Sequence, residues 1–432
     1  MRMKLLLLSL GSRGDMDPFL AVGAHFAAAG WEVVCAFPEQ FSALAAEAGF
    51  RCIPLDRRFY ALIESSDVQN FMGQRGNIFS RIGQLRRLYR DSQDIQRQLV
   101  REQRALVEAE RPDRILFHPK CVYPVVWDQL HPGRAALLLP VPGLQHPLDA
   151  HPPIVPSTRD YGRRINRFLY RLTDIAKARM IKSTVAPVLD DLPGARLDRW
   201  TITKQLNNLP ALYTVSPALF TPPAHWPANA EVVGYYARQT ADDYVPPADL
   251  EAFLTSYHKC LFVTFGSMVN ADPAGATRAV LAVLEKHRIP AILNTFSGGL
   301  KRPAADVPDH IYFTERIPYS WIFPRMYAVI HHGGSGTTHM AARSGCAQLL
   351  VPHIFDQFYW AWKIQQHGLG PAGLPIKNWT AARLEPKLLD LWNNSTYKSK
   401  AIEIAAAMQT ETDPTSLVAR VAAGVPDRPF QR

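Results

Sequence analysis

The sequence has few cysteines and no pattern that would pair them. Its 432 residues include five cysteines, scattered singly with no CxxC spacing. An odd, dispersed set argues against a disulfide framework and against a zinc site built on cysteine pairs. Such usage suits a reducing compartment, and we expect the protein in the cytoplasm.

Long apolar runs are missing as well. No stretch approaches the roughly 20 apolar residues that a membrane span requires, although 47% of the chain is hydrophobic. The opening letters MRMKLLLLSLGSRGD contain an apolar run too short for a signal peptide, followed by charge and no small-residue cleavage site. This run predicts a first buried strand in a soluble globular protein.

Two familiar nucleotide-binding motifs are also absent. The chain contains neither GxxxxGK[ST] nor GxGxxG, so a kinase-like phosphoryl transfer and a dinucleotide cofactor are not predicted. It has no recognisable nucleic-acid motif, and its basic stretches are not interleaved with base-stacking aromatics. Nucleic acid is therefore not expected as a partner.

Positive charge, by contrast, is in excess and unevenly placed. Of the net +10, residues 75–111 carry nine arginines against five acids, and residues 157–182 carry eight Lys/Arg against two acids. These two stretches account for the whole excess, and both have helical periodicity. Solvated helix faces are the ordinary explanation; the alternative is peripheral contact with an anionic membrane, at its inner face, or with an acidic substrate.

Short apolar runs alternate with helical segments in both halves of the chain. KLLLLSL, WEVVCAFP, RCIPL, RILFHP, AALLLPVP, LYTVSP and EVVGYY predict strands in the first half; CLFVTFGS, PAILNTF, IYFTERIP, YAVIHH and CAQLLVP predict strands in the second. This order predicts an α/β protein with two doubly wound parallel sheets, whose ligands bind in the cleft at the carboxyl ends of the strands. The predicted parts are a first domain at 1–236, a linker at 237–253, a second domain at 254–407, and a segment at 408–432 that could cross back to the first domain.

The letters AVIHHGGSGTTHMAARSG predict a buried strand, a glycine-rich turn and a helix. Glycines at such a turn permit close backbone approach, and the free N–H groups at a helix start face an anion. His332 at the strand end can donate to a phosphate oxygen, and Thr337 and Thr338 add hydroxyls. Asp356 and Gln357, after the next strand, offer acceptors and donors to adjacent hydroxyls. Together these parts predict a nucleotide-sugar site.

These same segments carry a resemblance to a known family. The histidine–glycine turn with VPHIFDQFYWA resembles the donor motif of the inverting GT-B glycosyltransferases of family 1, most closely the sterol glucosyltransferase-like branch that includes antibiotic and flavonoid glycosyltransferases. GSRGDMDPFLAVGAHFAAAGWEV, RIPYSWIFPRMYAVIHHGG and LFTPPAHWPANAEVVGYY are similar to other segments of that branch. The resemblance implies a GT-B fold, in which two Rossmann-like domains face each other across a cleft.

The resemblance also implies roles for particular residues on the donor side. His332 would bind the phosphate nearest the sugar, and Asp356 and Gln357 would bind hydroxyls of a glucose-like sugar. Ile317 would hold the nucleotide's base through backbone contacts, and Trp321 would hold it by stacking. The further diphosphate contacts would come from residues at two loops: Ser267, Gly334, Ser335, Gly336 and Thr337.

On the acceptor side, the resemblance implies that Asp15 is the general base. Asp17 fits the N-cap of a helix beginning at Pro18, which would leave Asp15 without a capping role. Arg13 would orient Asp15 or face the donor. His118, at the end of the fourth strand, is expected either to pair with Asp15 or to take the proton itself.

The acceptor is expected to be hydrophobic. Apolar and aromatic side chains near the first-domain wall of the cleft suit a sterol, polyketide, flavonoid or lipid with one hydroxyl; Phe71, Met72, Leu144 and His146 are the residues we expect to line it. The predicted reaction moves a hexose, with glucose from UDP-glucose favoured over a dTDP-sugar, to give a β-glycoside without a metal or other cofactor. The alternatives are a non-catalytic accessory protein and a nucleotide-sugar epimerase of the same fold.

Overall fold

A computed structural model describes residues 2–58, 78–153, 160–188, 195–238 and 244–424. Two parallel sheets organise these residues, one in each half of the chain. The strands are β1 Lys4–Leu8, β2 Glu32–Pro38, β3 Arg51–Leu55, β4 Arg114–Phe117, β5 Ala135–Leu139, β6 Ala211–Tyr213, β7 Ala230–Val232, β8 Leu261–Thr264, β9 Ala291–Asn294, β10 Ile311–Thr314, β11 Ala328–His331 and β12 Ala347–Leu350. All twelve predicted strands are present, and the predicted α/β class with two doubly wound sheets is confirmed.

Helices connect the strands and cover the sheets. They are α1 Arg13–Ala28, α2 Ser42–Glu47, α3 Ile78–Glu110, α4 Tyr123–Leu130, α5 Arg163–Val185, α6 Arg199–Asn208, α7 Ala248–Ser256, α8 Pro273–Lys286, α9 Tyr319–Ile322, α10 Ser335–Arg343, α11 Phe355–Gln366, α12 Ala381–Asn393, α13 Ser395–Met408 and α14 Pro414–Ala423. Within the described ranges, none of these helices combines the length and apolarity needed to cross a bilayer.

The first five strands of the seven-stranded sheet and the five strands of the second sheet follow the same order. The first sheet has the order β3-β2-β1-β4-β5-β6-β7 and the second β10-β9-β8-β11-β12. Both orders reverse next to their first strand, between β1 and β4 and between β8 and β11. A crevice opens at such a reversal because the flanking loops leave in opposite directions, and ligands bind there.

Buried strands explain why both sheets form. The strand residues Leu5 to Leu8 and Leu261 to Thr264 are fully buried, as expected when helices cover both faces of a parallel sheet. Helix α7 begins at Ala248, inside the segment predicted as a linker, because Leu250 and Phe253 pack into the core of the second sheet.

The last helix lies against the first domain. Leu417 and Val421 of α14 join the core on one face of the first sheet. The Arg114 guanidinium donates to the carbonyl oxygens of Val421 (2.8 Å) and Ala422 (2.6 Å), which satisfies the C-terminal end of α14. Residues 414–423 thus pack on the first domain although they follow the second.

Candidate active site

The first turn of α1, directly after the loop that follows β1, holds Asp15 at the reversal point of the first sheet. Helix α1 begins at Arg13, not at the predicted Pro18, and its N-cap is Ser12. The Oδ2 atom of Asp15 accepts from the backbone N–H (2.7 Å) and the hydroxyl (3.1 Å) of Ser12. The prediction that Asp15 has no capping role is therefore wrong: it occupies the third helical position, from which a carboxylate reaches back to the cap.

Asp17 was the predicted cap and is not one. It lies one turn into the helix, where its carboxylate pairs with Arg238 (2.9 Å) and with Arg13 (3.4 Å). Arg13 consequently pairs with Asp17 and not with Asp15. Pro18 costs the helix one hydrogen bond, with the carbonyl of Gly14, and the cap from Asp15 to Ser12 offsets that loss.

Asp15 has two further partners from the loop after β4. The Nζ atom of Lys120 and the Nε2 atom of His118 lie 3.1 and 3.3 Å from its Oδ1 atom. Lys120 was not predicted, although a cation two residues after His118 at a strand end could have suggested it. A side chain on Gly11 would overlap both the Asp15 carboxylate and the Lys120 ammonium, and its φ of 133° is one that L-residues rarely adopt.

The hydrogen bonds of His118 determine which of its nitrogens carries the proton. Its Nδ1 atom accepts from the backbone N–H of Lys120 (3.2 Å), so in the neutral ring the proton is on Nε2. Burial, then Lys120, lowers the pKa of His118, and the ring is therefore neutral. Nε2 lies 3.3 Å from Asp15 Oδ1 without forming a hydrogen bond of good geometry, and it has no hydrogen-bond partner among the described residues.

The ionisation of Asp15 is a balance of opposing effects. Burial by itself raises its pKa, but the charge of Lys120, the adjacent His118 and the backbone N–H of Ser12 together outweigh it. The net result is a pKa well below the usual range of an aspartate. Asp15 is thus a carboxylate at neutral pH, with Oδ2 used by the helix cap and Oδ1 facing Lys120 and His118.

The second sheet presents a neutral loop at its own reversal point. His331 ends β11; its Nδ1 atom accepts from the N–H of Gly333 (3.1 Å) and its Nε2 atom donates to Gln348 (2.9 Å). This buried ring fixes the turn and is structural. Burial, then the neighbouring His331 and His353, holds the pKa of His332 well below its usual range.

His332 and Ser267 converge on the glycine-rich turn. The ring of His332 lies so close to Gly334 that a Cβ there would overlap it. Its buried Nδ1 atom has no partner among the described residues. Ser267 is exposed on the turn after β8, one residue beyond the glycine that also packs on His332. Gly336 and Thr337 lie in the first turn of α10, half-buried.

Ser335 has a different partner from the one expected. Its hydroxyl donates to the carbonyl oxygen of Pro140 in the first domain, at 2.6 Å. Tyr235 donates across the same boundary to the carbonyl of Gly336 (3.3 Å) and stacks on His339, with ring centroids 4.9 Å apart. These contacts hold the turn of the second domain against the first domain.

Asp356 and Gln357 lie in the first turn of α11, beyond the end of β12. The amide oxygen of Gln357 accepts from the N–H groups of His353 (2.7 Å) and Ile354 (3.1 Å), so its oxygen caps the helix and its NH₂ group is left to donate. Burial, then the charge of Asp15, raises the pKa of Asp356 to about 7. The two domains therefore bring Asp15 and Asp356 within electrostatic reach of each other.

The two residues expected to hold the nucleotide's base, Ile317 and Trp321, have different environments. The side chain of Ile317 is buried in the core of the second sheet. Trp321 is half-buried; the Arg325 guanidinium lies 4.1 Å from the centre of its ring, and the Tyr244 ring meets it edge-on. One face of the indole is thus already covered by a cation, which leaves at most the other face for stacking.

The acceptor wall differs from the prediction at His146. Its Nδ1 atom lies 2.9 Å from the Tyr213 hydroxyl and its ring packs on Trp226, so it belongs to an aromatic cluster of the first-domain core. Leu144 is partly buried against the same core. Phe71 and Met72 lie outside the described residues.

Comparison with known proteins places this arrangement in context. Residues 289–423 match the family model of the erythromycin biosynthesis protein CIII-like C-terminal domain. The chain is 26% identical over 421 residues to the sterol 3-beta-glucosyltransferase UGT80B1 of Arabidopsis thaliana and 32% identical over 230 residues to the sterol 3-beta-glucosyltransferase of Komagataella phaffii. These matches cover 95% and 51% of this chain but 66% and 18% of the relatives, so the chain spans less than two thirds of their length.

Solved structures share the whole architecture. The glycotransferase of kitacinnamycin superposes with a TM-score of 0.71 at 15% identity, covering 99% of this chain and all of its own. The Streptomyces glycosyltransferase SsfS6, solved with thymidine diphosphate, gives 0.61 at 18% identity, covering 97% of this chain and 99% of its own. Likeness at this level of identity shows a common fold of two facing domains.

Proposed function

We propose that the chain, which is similar to sterol 3-beta-glucosyltransferases and shares the fold of natural-product glycosyltransferases, transfers a hexose from a nucleotide diphosphate sugar to the hydroxyl of a hydrophobic small molecule. One observation carries the proposal most strongly. The ionised Asp15 and its neighbour His118 lie on the first turn of α1 and after β4, α1 packs on the helix that begins at the glycine-rich turn, and Asp15 is near enough to Asp356 to raise its pKa. An acceptor hydroxyl and a diphosphate sugar would then meet between Asp15 and this turn.

The donor's diphosphate would bind at the start of α10. Unpaired N–H groups and the positive end of the helix dipole favour an anion there. His332 would donate to the phosphate nearest the sugar, because its low pKa keeps it neutral with one N–H to offer. As the bond to the sugar breaks, these donors would stabilise the charge that develops on the leaving diphosphate.

Asp15 would accept the proton of the acceptor hydroxyl as that oxygen attacks the anomeric carbon from the side opposite the diphosphate. His118 suits a supporting role better than the role of base, since its Nε2 atom already carries a proton and its Nδ1 atom already accepts one from the backbone. A single displacement inverts the anomeric centre, so an α-linked donor would give a β-glycoside.

Asp356 and the amide NH₂ of Gln357 would contact sugar hydroxyls. The carboxyl of Asp356, with a pKa raised to about 7, would be partly protonated near neutral pH and able to donate as well as accept. The sterol 3-beta-glucosyltransferases among the relatives favour glucose as the sugar and a sterol-like alcohol as the acceptor. The nucleoside diphosphate is proposed as UDP, with dTDP as the alternative that the thymidine diphosphate complex of SsfS6 suggests.

No metal ion is included in this proposal. Within the described residues no group of three or more His, Cys, Asp or Glu side chains could hold one, and the helix start with His332 can carry the charge of the leaving group. The protein is further proposed to work at the cytoplasmic side of a membrane, in peripheral contact with anionic lipid, because its net charge of +10 is concentrated in two stretches.

The test supplies UDP-glucose or dTDP-glucose with a panel of sterols, polyketides, flavonoids and lipid alcohols. We expect release of nucleoside diphosphate that depends on the acceptor, a product heavier by one hexose in mass spectrometry, and a β linkage in the anomeric proton coupling. Excess chelator should leave the rate unchanged. Absence of acceptor-dependent release with every combination would refute the proposed transfer, and an α-linked product would refute the single displacement.

A further inference from the structure

Helix α5 exposes an apolar stripe to solvent. Its residues Ile165, Phe168, Leu172 and Ile175 follow each other at intervals of three, four and three, which places them on one side of a helix. All four are exposed, Phe168 at 58%. Among the described residues only ten large apolar side chains are classed as exposed, at 38% or more. Four of the ten lie on this one helix face, so they form a contiguous patch.

Cations are interleaved with this stripe and are not neutralised. Arg164, Arg171, Arg179 and Lys182 are exposed on the same helix, and none forms an ion pair with an acid among the described residues. At 100° per residue, these four positions fall within about 60° of Phe168. The outward face of α5 therefore combines apolar side chains with four positive charges that no acid of the described residues pairs.

The described part of helix α3, the other basic stretch, is different. Its Arg97 pairs with Asp94 and its Arg104 with Glu108, within the same helix. Glu110 at its end pairs with Arg51 and Lys4. Arg101 is exposed without an acid partner among the described residues, but no large apolar side chain is exposed between residues 93 and 110, so α5 is the basic surface that also carries an apolar stripe.

The opposite side of α5 is fixed to the protein. Asn166, Tyr170, Ala178 and Ile181 are buried, and α5 packs on α6, where Trp200 is 68% exposed. The helix is thus a fixed support that presents its stripe outward. An exposed tryptophan on the adjoining helix adds the side chain that is most often found at a membrane–water interface.

The same helix is linked to the active-site cleft. Lys177 donates to the carbonyl of Leu144 (2.6 Å), and Asn166 donates to the carbonyl of Asp149 (2.8 Å). Both acceptors lie in the loop that follows β5, which begins at Pro140, the partner of Ser335. Farther along this loop, His151 packs against Tyr359 of α11, with ring centroids 5.3 Å apart. A surface bound by α5 would therefore lie next to the loop that borders the cleft.

We propose that the outward face of α5 binds the surface of an anionic lipid bilayer. Long basic side chains can reach anionic headgroups while the apolar stripe enters the region below them. A second copy of the chain fits less well, because two such faces would oppose like charges with no acid to pair them. A nucleic acid would match the cations but would leave Phe168 and its apolar neighbours unburied.

The binding itself does not depend on the proposed function; only its consequence, that a lipid-dissolved acceptor reaches the cleft from the bilayer, rests on it. The full chain would be sedimented with phosphatidylcholine vesicles and with vesicles containing phosphatidylglycerol. We expect binding to the second kind alone, abolished at about 1 M salt, where the screening length is roughly 3 Å.

Two variants remove the apolar stripe and the positive charges of α5 separately. Phe168→Glu with Leu172→Glu should abolish sedimentation, whereas Ile402→Glu, at an apolar side chain of equal exposure on α13, should leave it unchanged. Neutralising Arg164, Arg171 and Arg179 to Gln should weaken binding by roughly fivefold for each charge. The matched control neutralises three exposed cations of the second domain, Arg278, Lys301 and Arg383.

The outcomes separate this proposal from the proposed function. Recovery of the wild-type chain in the supernatant with both kinds of vesicle, while it glycosylates a soluble alcohol, would overturn the lipid surface and leave the transferase intact. Vesicle binding without transfer to any acceptor would support the lipid-binding surface and refute the proposed transferase activity. A dimer in sedimentation velocity that the Phe168 variant dissolves, with no vesicle binding, would assign the stripe to a second copy of the chain.

Discussion

The reversal points of the two sheets have the same topology and opposite electrostatics. At the first, the loops after β1 and β4 bring together a carboxylate, an ammonium and a neutral imidazole. At the second, the loops after β8 and β11 carry neutral imidazoles, glycines and hydroxyls, with no charged side chain in the sequence HHGGSGTT.

The difference follows from what each half is proposed to do. Removing a proton requires a base that is ionised before the reaction, and Lys120 and His118 keep Asp15 ionised despite its burial. Holding a diphosphate requires hydrogen-bond donors, which backbone N–H groups at a helix start and a neutral histidine provide without a charged side chain. One fold thus supports two kinds of chemistry through the residues of its loops.

The largest expected effect comes from removing the base. Asp15→Asn keeps the size of the side chain and its cap on Ser12 but cannot take a proton, so turnover should fall by about 10²–10⁴. Nucleoside diphosphate affinity, measured by calorimetry, should change little. Asp17→Asn is the matched control, since it removes the same charge two residues away, and should cost well under tenfold. Near-normal turnover in Asp15→Asn would move the base to another residue, with His118 the first to test.

A smaller effect is expected at the second reversal point. His332→Ala should weaken nucleoside diphosphate binding by roughly 1.5–3 kcal/mol, the range for a hydrogen bond to a charged group, which is about ten- to hundredfold. His287→Ala removes another second-domain histidine, one that pairs with Glu385 instead, and should leave affinity unchanged. Equal calorimetric affinity of the wild type and His332→Ala would remove His332 from the donor site.

The smallest effect at neutral pH concerns Lys120, and it appears mainly as a change in pH dependence. Without the ammonium, burial raises the pKa of Asp15, so the acid limb of kcat/KM in Lys120→Met should move to higher pH. The shift should be about one to three pH units, since an opposite charge within 4–6 Å lowers an aspartate pKa by that amount. At neutral pH Asp15 remains largely ionised, and turnover should change little.

The conservative variant decides whether charge is what matters. Lys120→Arg keeps the positive charge beside Asp15 and should return the acid limb to its wild-type position. If the acid limb of kcat/KM stays at its wild-type pH in both variants, Lys120 does not set the ionisation of Asp15. The electrostatic difference between the two reversal points would then be smaller than described. A limb displaced equally in both would point to altered packing around Gly11.

The fold was largely predictable from local patterns. Apolar runs bounded by glycine, proline or charge marked all twelve strands, and the signal is strongest for central strands such as β1 and β8, because a strand buried on both faces needs little information beyond its own residues. The glycine-rich turn after β11 was recognisable for the same reason, since strand, turn and helix start lie within one short stretch. Positions at the carboxyl ends of strands, such as those of Asp15 and His118, followed once the parallel order was inferred.

Partners distant in the chain were not predictable. Lys120 reaches Asp15 across 105 residues, and Ser335 reaches Pro140 across 195. The oxygen of Gln357 turned out to cap a helix, and His146 turned out to belong to the core, because each depends on where its backbone ends after folding.

Local sequence patterns were enough to predict the succession of strands and helices along the chain, the two-domain α/β class, and the segments in which the proposed chemistry lies. Only folding settles which side chains meet, how far the pKa of Asp15 falls, and that the stripe on α5 stays exposed while Arg97 and Arg104 of α3 pair with acids. The difference lies in the distance along the chain between the residues involved. Burial patterns and turns depend on neighbouring residues, whereas ion pairs, desolvation and exposed helix faces depend on elements that come together only when the two sheets fold.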